Sequence, residues 1–174
     1  ITRLDSPRHN NYTLFFKSLS MCGIVGLYLK NSDLFDHIGE LFSTMLVCLS
    51  SRGPDSAGFA LYGNEPPSGY IKVTLRHNGE NYNWQTLSDE LGQRFNCQPQ
   101  LQINANYAVI AVRAQEAEIR SELQALDSSI SVMSVGHSIE ILKEIGSPQS
   151  IVERFRMRSM QGSHAIGHTR MATE

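Results

Sequence analysis

The chain has 174 residues, of which 41% are hydrophobic and 18% are charged, and its formal net charge is −2. This length supports one domain or two small ones, and the charge gives no electrostatic case for binding nucleic acid or a membrane surface. No apolar run approaches the roughly 18 residues that a membrane-spanning helix needs. Cys22, Cys48 and Cys97 are too widely spaced for a disulfide framework or a metal site. We therefore expect a cytoplasmic protein that holds no metal and no cofactor.

Residues 1–21 form a polar extension without a clear hydrophobic period. Leu14-Phe15-Phe16 is too short for the apolar core of a signal peptide. An upstream artefact, a disordered tail and a propeptide remain open as interpretations. At the other end, Glu174 directly follows the most motif-like stretch of the chain. Because domains usually end in loose surface segments, we expect a truncated chain.

The first half of the sequence predicts three strands and a helix. Cys22 to Lys30 is apolar and rich in β-branched residues, which predicts a buried strand. Asp33 is the expected cap of an amphipathic helix that runs to about Ser51. Further strands are expected over Ala57–Tyr62 and Tyr70–Arg76, and Asn78-Gly79 is expected to form a hairpin turn.

The second half predicts a mixture of helices and strands, which favours an α+β layered fold. Three consecutive elements suggest a small β-α-β unit. Glu140, Lys143 and Glu144 are expected on the solvated face of a helix. The expected helices are Trp84–Phe95, Glu116–Leu126, Ser138–Ile145 and Ser150–Phe155, and the expected strands are Tyr107–Arg113, Ile130–Val135 and His164–Thr169.

A cysteine next to a methionine stands at the start of the first strand, in Met21-Cys22-Gly23-Ile24-Val25-Gly26. Most cysteines in such a place are simply small hydrophobic residues. If Met21 were the start and were removed, however, Cys22 would carry a free α-amino group, whose pKa is about 8. That amine could serve as the base that activates the thiol.

Two further segments contain arginines in turn-like surroundings. Arg52-Gly53-Pro54-Asp55-Ser56-Ala57-Gly58 is, by itself, an ordinary turn between a helix and a strand, although Arg52 would lie beside the cysteine strand. Gly167-His168-Thr169-Arg170-Met171-Ala172-Thr173 is, by itself, a strand end with an exposed basic residue. The planar guanidinium of Arg170 is suited to binding a substrate carboxylate through two hydrogen bonds.

Together and in this order, the three segments resemble the signatures of the class II glutamine amidotransferases, a group of N-terminal-nucleophile hydrolases. The resemblance covers Met21 to Glu174. It implies a four-layer α/β/β/α sandwich, incomplete at the C-terminus, with a β-α-β insertion at about 100–136. It also implies hydrolysis of the side-chain amide of L-glutamine through a cysteinyl thioester, with the ammonia supplied to a synthase domain or partner subunit.

The resemblance implies a role for each matching residue. Cys22 corresponds to the nucleophile, Arg52 to the arginine of the turn motif, and Arg170 to the arginine that binds the glutamine carboxylate, with Thr169 and Thr173 in the supporting loop. The family's Asn-Gly oxyanion pair and its amino-binding aspartate would follow residue 174. Residues 22–174 are thus expected to be the N-terminal part of a type 2 glutamine amidotransferase domain, inactive without the remainder.

The sequence also departs from the common family pattern, which has tryptophan at Met171 and histidine at Glu174. The interval between Arg52 and Arg170 is also long. With this interval and the segment GHTRMATE, the chain looks like the amidotransferase subunit of N-methylglutamate synthase and of related glutamate-synthase-like complexes. This likeness implies a partner flavoprotein. Two alternatives stay open: a non-catalytic interaction or regulatory domain, and an amidohydrolase that releases ammonia without transferring it.

Overall fold

A computed structural model describes residues 22–79 and 81–170. Helices are interspersed among the strands of this part of the chain, and short 3₁₀ helices cover Ser32–His37 and Met157–Ser159. No helix among the described residues is long and apolar enough to cross a membrane. The strands are β1 Gly23–Tyr28, β2 Ser56–Tyr62, β3 Ile71–His77, β4 Gln100–Asn104, β5 Tyr107–Val112, β6 Ile130–Gly136, β7 Ile139–Ile145 and β8 His164–Thr169, and the helices are α1 Ile38–Val47, α2 Trp84–Arg94, α3 Glu116–Leu126 and α4 Pro148–Arg154.

The first sheet carries all three sequence motifs. Its strand order is β1-β8-β2-β7, and every neighbouring pair is antiparallel. The helices α1 and α4 contribute to its apolar core, because their buried residues recur at helical spacing and face the sheet. That core includes Ile38, Phe42 and Leu46 of α1, Ile151 and Val152 of α4, and Phe59, Leu61, Leu142 and Ala165 of the strands.

The second sheet belongs to a unit in which β3, α2, β4, β5, α3 and β6 follow one another. Its strand order is β4-β5-β3-β6. Both β5 and β6 are antiparallel to β3, so they run parallel to each other with β3 between them. This is the split β-α-β arrangement of ferredoxin-like units. The expected β-α-β segment is therefore part of a unit that extends from Ile71 to Gly136, and its own core includes Val73, Leu75, Leu87, Leu91, Ile110, Ile119 and Leu123.

The two sheets meet where β3 approaches β7. Buried Lys72 of β3 forms an ion pair with Glu140 of β7 and donates to the carbonyl of Asn64 at 3.1 Å. Four residues further along both strands, Arg76 pairs with Glu144 at 3.4 Å. The alternate residues of β3 face the helices, as strand geometry requires.

The prediction of an α+β fold is confirmed, since two antiparallel sheets are combined with helices. Two element predictions are wrong. Residues 138–145 were expected to be helical, but β7 pairs with β2 along Ile139–Ile145. Glu140 and Glu144 are consequently ion-pair partners between the sheets rather than residues of a solvated helix face. Asn78-Gly79 is not a hairpin turn, because the chain passes from β3 into α2.

Two local details of the structure also differ from expectation. The helix cap is Asn31, whose side chain accepts the amide of Asp33 at 3.0 Å, and a 3₁₀ turn precedes α1. The sequence analysis missed β4, which lies in a stretch of polar residues at the sheet edge. Half-exposed edge strands have no continuous apolar run, so their pattern is weak.

Candidate functional site

The three motifs converge at the C-terminal end of β8. In the strand register, Thr169 lies between Gly23 of β1 and Ala57 of β2. Its side chain is fully buried. The hydroxyl Oγ1 of Thr169 accepts a hydrogen bond from the amide of Gly23 at 3.3 Å. Thr169 thereby links the first and third motifs directly.

Cys22 precedes this anchored glycine and is exposed. The register between β1 and β8 ends at the pair Gly23 and Thr169, so Cys22 and Arg170 lie directly beyond the paired residues of these two strands. The strand β1 is an edge strand of the sheet. A thiol at its start is therefore accessible, while the backbone beside it is held in place.

The turn motif packs against Thr169 from another side. A Cβ atom added at Gly53 would lie 2.6 Å from Oγ1 of Thr169, which is closer than atoms can pack. The amides of Arg52 and Gly53 both donate to the carbonyl of Leu49, at 2.9 and 3.3 Å, and fix the turn after α1. Arg52 itself is exposed, one residue from the contact with Thr169.

Arg170 has a left-handed backbone, with φ of 72°. Its amide donates to the carbonyl of Ser56 at 2.6 Å. Its own carbonyl lies 2.9 Å from Nδ1 of His168. Since a carbonyl can only accept, this ring nitrogen carries the hydrogen.

The structure thus brings Cys22, Arg52, Thr169 and Arg170 to one end of the first sheet. Thr173 lies outside the described residues, as do Met171 and Glu174. Arg52 and Arg170 both belong to this region, and arginine is a residue suited to binding a carboxylate. Within residues 22–79 and 81–170, no cluster of histidine, cysteine and acidic side chains could hold a metal ion.

Sequence reasoning passed over one residue of this region, His168. The available signal was its position inside the GHTR motif, two residues before Arg170.

The structure also has a cleft that is not lined by the motif residues Cys22, Arg52, Thr169 and Arg170. This cleft of about 800 Å³ opens between β4 and the end of α4, and Lys72, Gln102, Glu140 and Arg156 are among its lining residues.

Two curated proteins resemble the chain along most of its length. The glutamine amidotransferase-like protein GlxB of Rhizobium meliloti (strain 1021) is 43% identical over 155 residues, which cover 88% of this chain and 51% of that protein. A protein of Methanothermobacter thermautotrophicus, provisionally described as a glutamine amidotransferase, is 31% identical over 163 residues, covering 88% and 53% respectively. No family model matches the chain.

The chain spans about half the length of the curated relatives it matches. Their descriptions support a glutamine amidotransferase family, at the broad level that the three motifs predicted.

Proposed function

We propose that residues 22–174 belong to the glutaminase domain of a class II glutamine amidotransferase of the N-terminal-nucleophile type. The convergence of three separate motifs on Thr169 carries this proposal. An acyl-transfer site needs an accessible nucleophile and a group that holds the substrate in place. We assign these two functions to Cys22, just before β1, and to Arg170, just after β8. The four-layer α/β/β/α sandwich of that family is part of the same proposal.

In the proposed reaction, the thiolate of Cys22 attacks the side-chain amide carbon of L-glutamine. The α-amine of a mature N-terminal Cys22 takes the thiol proton and later gives it to the leaving nitrogen. The C–N bond breaks, ammonia leaves and a thioester to Cys22 remains. Water then cleaves the thioester and releases glutamate. The exposed position of Cys22, with Gly23 fixed by Thr169, supports this role.

The strained backbone of Arg170 supports its role in binding the substrate carboxylate. A left-handed conformation costs a non-glycine residue about 1–2 kcal/mol, and such strain is concentrated at functional sites. Arginine offers two parallel donors to a carboxylate. Arg52 and Thr173 are proposed to support the same pocket.

The nucleophile is tested by comparing Cys22→Ala with Cys48→Ala in the full-length protein whose first residue is Cys22. Glutamate and ammonia formation from glutamine should fall by about 10³-fold or more for Cys22→Ala. Cys48, an exposed cysteine at the end of α1, is the matched control and its variant should keep the parent rate. Equal rates for the Cys22 variant and the parent would contradict the proposal.

The N-terminal mechanism is tested by comparing the protein that begins at Cys22 with the protein that retains residues 1–21. Protein that retains residues 1–21 has an amide where the proposed amine base should be, so it should be inactive. N-terminal sequencing and intact mass would establish the start of the active form. Full activity with the extension attached would rule out the amine as the base.

The carboxylate contact is tested by Arg170→Lys. Lysine keeps the charge but loses the two-pronged geometry. A charged hydrogen bond is worth about 1.5–3 kcal/mol, so KM for glutamine should rise about 10- to 100-fold. Arg158→Lys, in an exposed 3₁₀ turn, is the control. An unchanged KM in the Arg170 variant would remove Arg170 from the site.

We also propose that the ammonia passes to a separate synthase subunit, a flavoprotein of the glutamate-synthase type. The GHTRMATE segment and its preceding sequence support this. Glutamine labelled with ¹⁵N in the amide should transfer its label to the partner's product, even when unlabelled ammonium is present. Complete dilution of the label would contradict direct transfer.

A further inference from the structure

The backbone of Arg170 is held by two hydrogen bonds from different strands. The backbone amide of Arg170 donates a hydrogen bond to the carbonyl of Ser56, a residue of β2. The ring of His168 reaches forward within β8 and donates from Nδ1 to the carbonyl of Arg170, at 2.9 Å. Together they stabilise a backbone with φ of 72° that arginine seldom adopts alone.

The surroundings of His168 allow this arrangement. Its register partners are Ile24 on β1 and Gly58 on β2. A Cβ atom at Gly58 would lie 3.5 Å from Nε2 of His168 and 2.9 Å from Cβ of Lys143. The tight approach at the glycine that ends the RGPDSAG motif is therefore to Lys143 of β7, while the imidazole ring lies at an ordinary contact distance above it.

We propose that His168 is a positioning residue, which orients Arg170 for the substrate carboxylate by holding the left-handed turn at Arg170. The inference rests on the proposed role of Arg170 in binding glutamine. His168 contacts the backbone of Arg170, so its loss should weaken substrate binding rather than slow the chemical step. Without the bond from Nδ1, the residue can leave the strained conformation, and its guanidinium then points away from the carboxylate for part of the time.

Two amide variants distinguish this positioning role from a general need for a polar side chain at residue 168. In His168→Asn, the side-chain amide nitrogen lies near the former Nδ1 and can donate to the carbonyl of Arg170. In His168→Gln, the nitrogen lies near the former Nε2 and is directed away from that carbonyl. Both variants keep a polar side chain over Gly58. His164→Ala is the matched control, since His164 lies on the same strand face but stacks on Tyr62, with ring centroids 3.9 Å apart.

The experiment measures glutamine hydrolysis by the full-length protein that begins at Cys22. His168→Ala and His168→Gln should raise KM about ten-fold while kcat stays within about two-fold, and His168→Asn should restore KM to near the parent value. His164→Ala should leave KM unchanged. Equal KM values for the Asn and Gln variants, or a fall in kcat at constant KM, would overturn the positioning role.

Arg170→Lys, measured in parallel, distinguishes a failure of the positioning role of His168 from a failure of the proposed function. If that variant raises KM and the His168 variants do not, the positioning role fails and the proposed function stands. If Arg170→Lys leaves KM unchanged, the proposed carboxylate contact fails, and the inference fails with it. A parent protein that does not hydrolyse glutamine would overturn both.

Discussion

Gly53 and Thr169 show how two sequence motifs can be complementary at the level of single atoms. Gly53 has an ordinary backbone, so its requirement comes from the close approach of Thr169 rather than from turn geometry. Thr169 in turn accepts the amide that follows Cys22. A change at Gly53 should therefore affect both the stability of the first sheet and the position of the proposed nucleophile.

We predict that Gly53→Ala destabilises the protein by about 1–3 kcal/mol, the usual cost of overpacking a filled interior. The new methyl group would lie 2.6 Å from Oγ1 and 2.7 Å from Cβ of Thr169. Urea unfolding measures the change. Gly26→Ala is the control, because its methyl group would have only an ordinary contact, 3.9 Å from the carbonyl of Ala165. Equal stabilities of the two variants would contradict the close contact.

Among the elements, α3 is fixed at its C-terminus by a small hydrogen-bond network. Asp127 accepts hydrogen bonds from Ser129, at 2.8 Å from the amide and 2.5 Å from the hydroxyl, and from the hydroxyl of Tyr82 at 2.9 Å. The bonds from Ser129 lower the pKa of Asp127 most, and that from Tyr82 adds to them. Burial, together with this bond, raises the pKa of Tyr82 to about 12. The network joins the end of α3 to the segment before α2.

These shifts give a definite pH dependence. Because folding lowers the pKa of Asp127, its contribution to stability is present above the ordinary aspartate pKa of about 4 and is lost as the pH falls through the folded value. For Tyr82 the sign is opposite: its contribution is complete below about pH 10 and is lost as the pH rises toward 12. The two groups together favour the folded state most in the range between these limits.

We predict that, as the pH falls from 5 to 3, the free energy of unfolding decreases less for Asp127→Asn than for the parent. Urea midpoints across this range measure the effect. Asp89→Asn is the control, since Asp89 is an exposed residue of α2 that accepts one bond from Gln85. The absorbance of ionised tyrosine should also appear at lower pH in Asp127→Asn, because Tyr82 loses a charged acceptor. Parallel pH profiles for the parent and Asp127→Asn would refute the argument.

At the scale of the whole molecule, polar groups join the two sheets. The ion pair between Lys72 and Glu140 is largely buried, with side-chain exposures of 10% and 12%. Nearby, the hydroxyl of Tyr107 donates to the carbonyl of Lys143 at 2.5 Å and accepts its amide at 3.2 Å, so it covers the outer edge of β7. These contacts connect the ferredoxin-like unit to the sheet that carries the motifs.

We predict that Glu140→Gln destabilises the protein by about 3–5 kcal/mol, because it leaves the cation of Lys72 buried without its partner. The double variant Lys72→Met with Glu140→Gln should recover a large part of this loss. Glu116→Gln is the control, since its exposed pair with Arg120 is worth about 0.3–0.5 kcal/mol. Denaturant unfolding of the four proteins gives the values. A loss for Glu140→Gln as small as for Glu116→Gln would contradict a buried pair.

Elements with a strong local pattern were predictable from the order of residues. The bounds of Glu116–Leu126 and His164–Thr169 were predicted correctly, because helical or alternating periodicity is strong in both. The same local signal misled at residues 138–145, where charges at helical spacing concealed β7. That segment is a strand because β2 pairs with it and its two glutamates meet cations of β3, which are contacts with residues more than 60 positions away.

The same distinction between local sequence and distant contacts applies to the candidate site. The three motifs and their arginines could be located in the sequence, where their resemblance to the class II signatures predicted nucleophile and carboxylate-binding roles. The folded chain was needed to show that Thr169 contacts both Gly23 and Gly53, and that Nδ1 of His168 lies within hydrogen-bond distance of the carbonyl of Arg170. Strand pairing and close packing depend on the register between distant segments, and residue order contains no direct measure of that register.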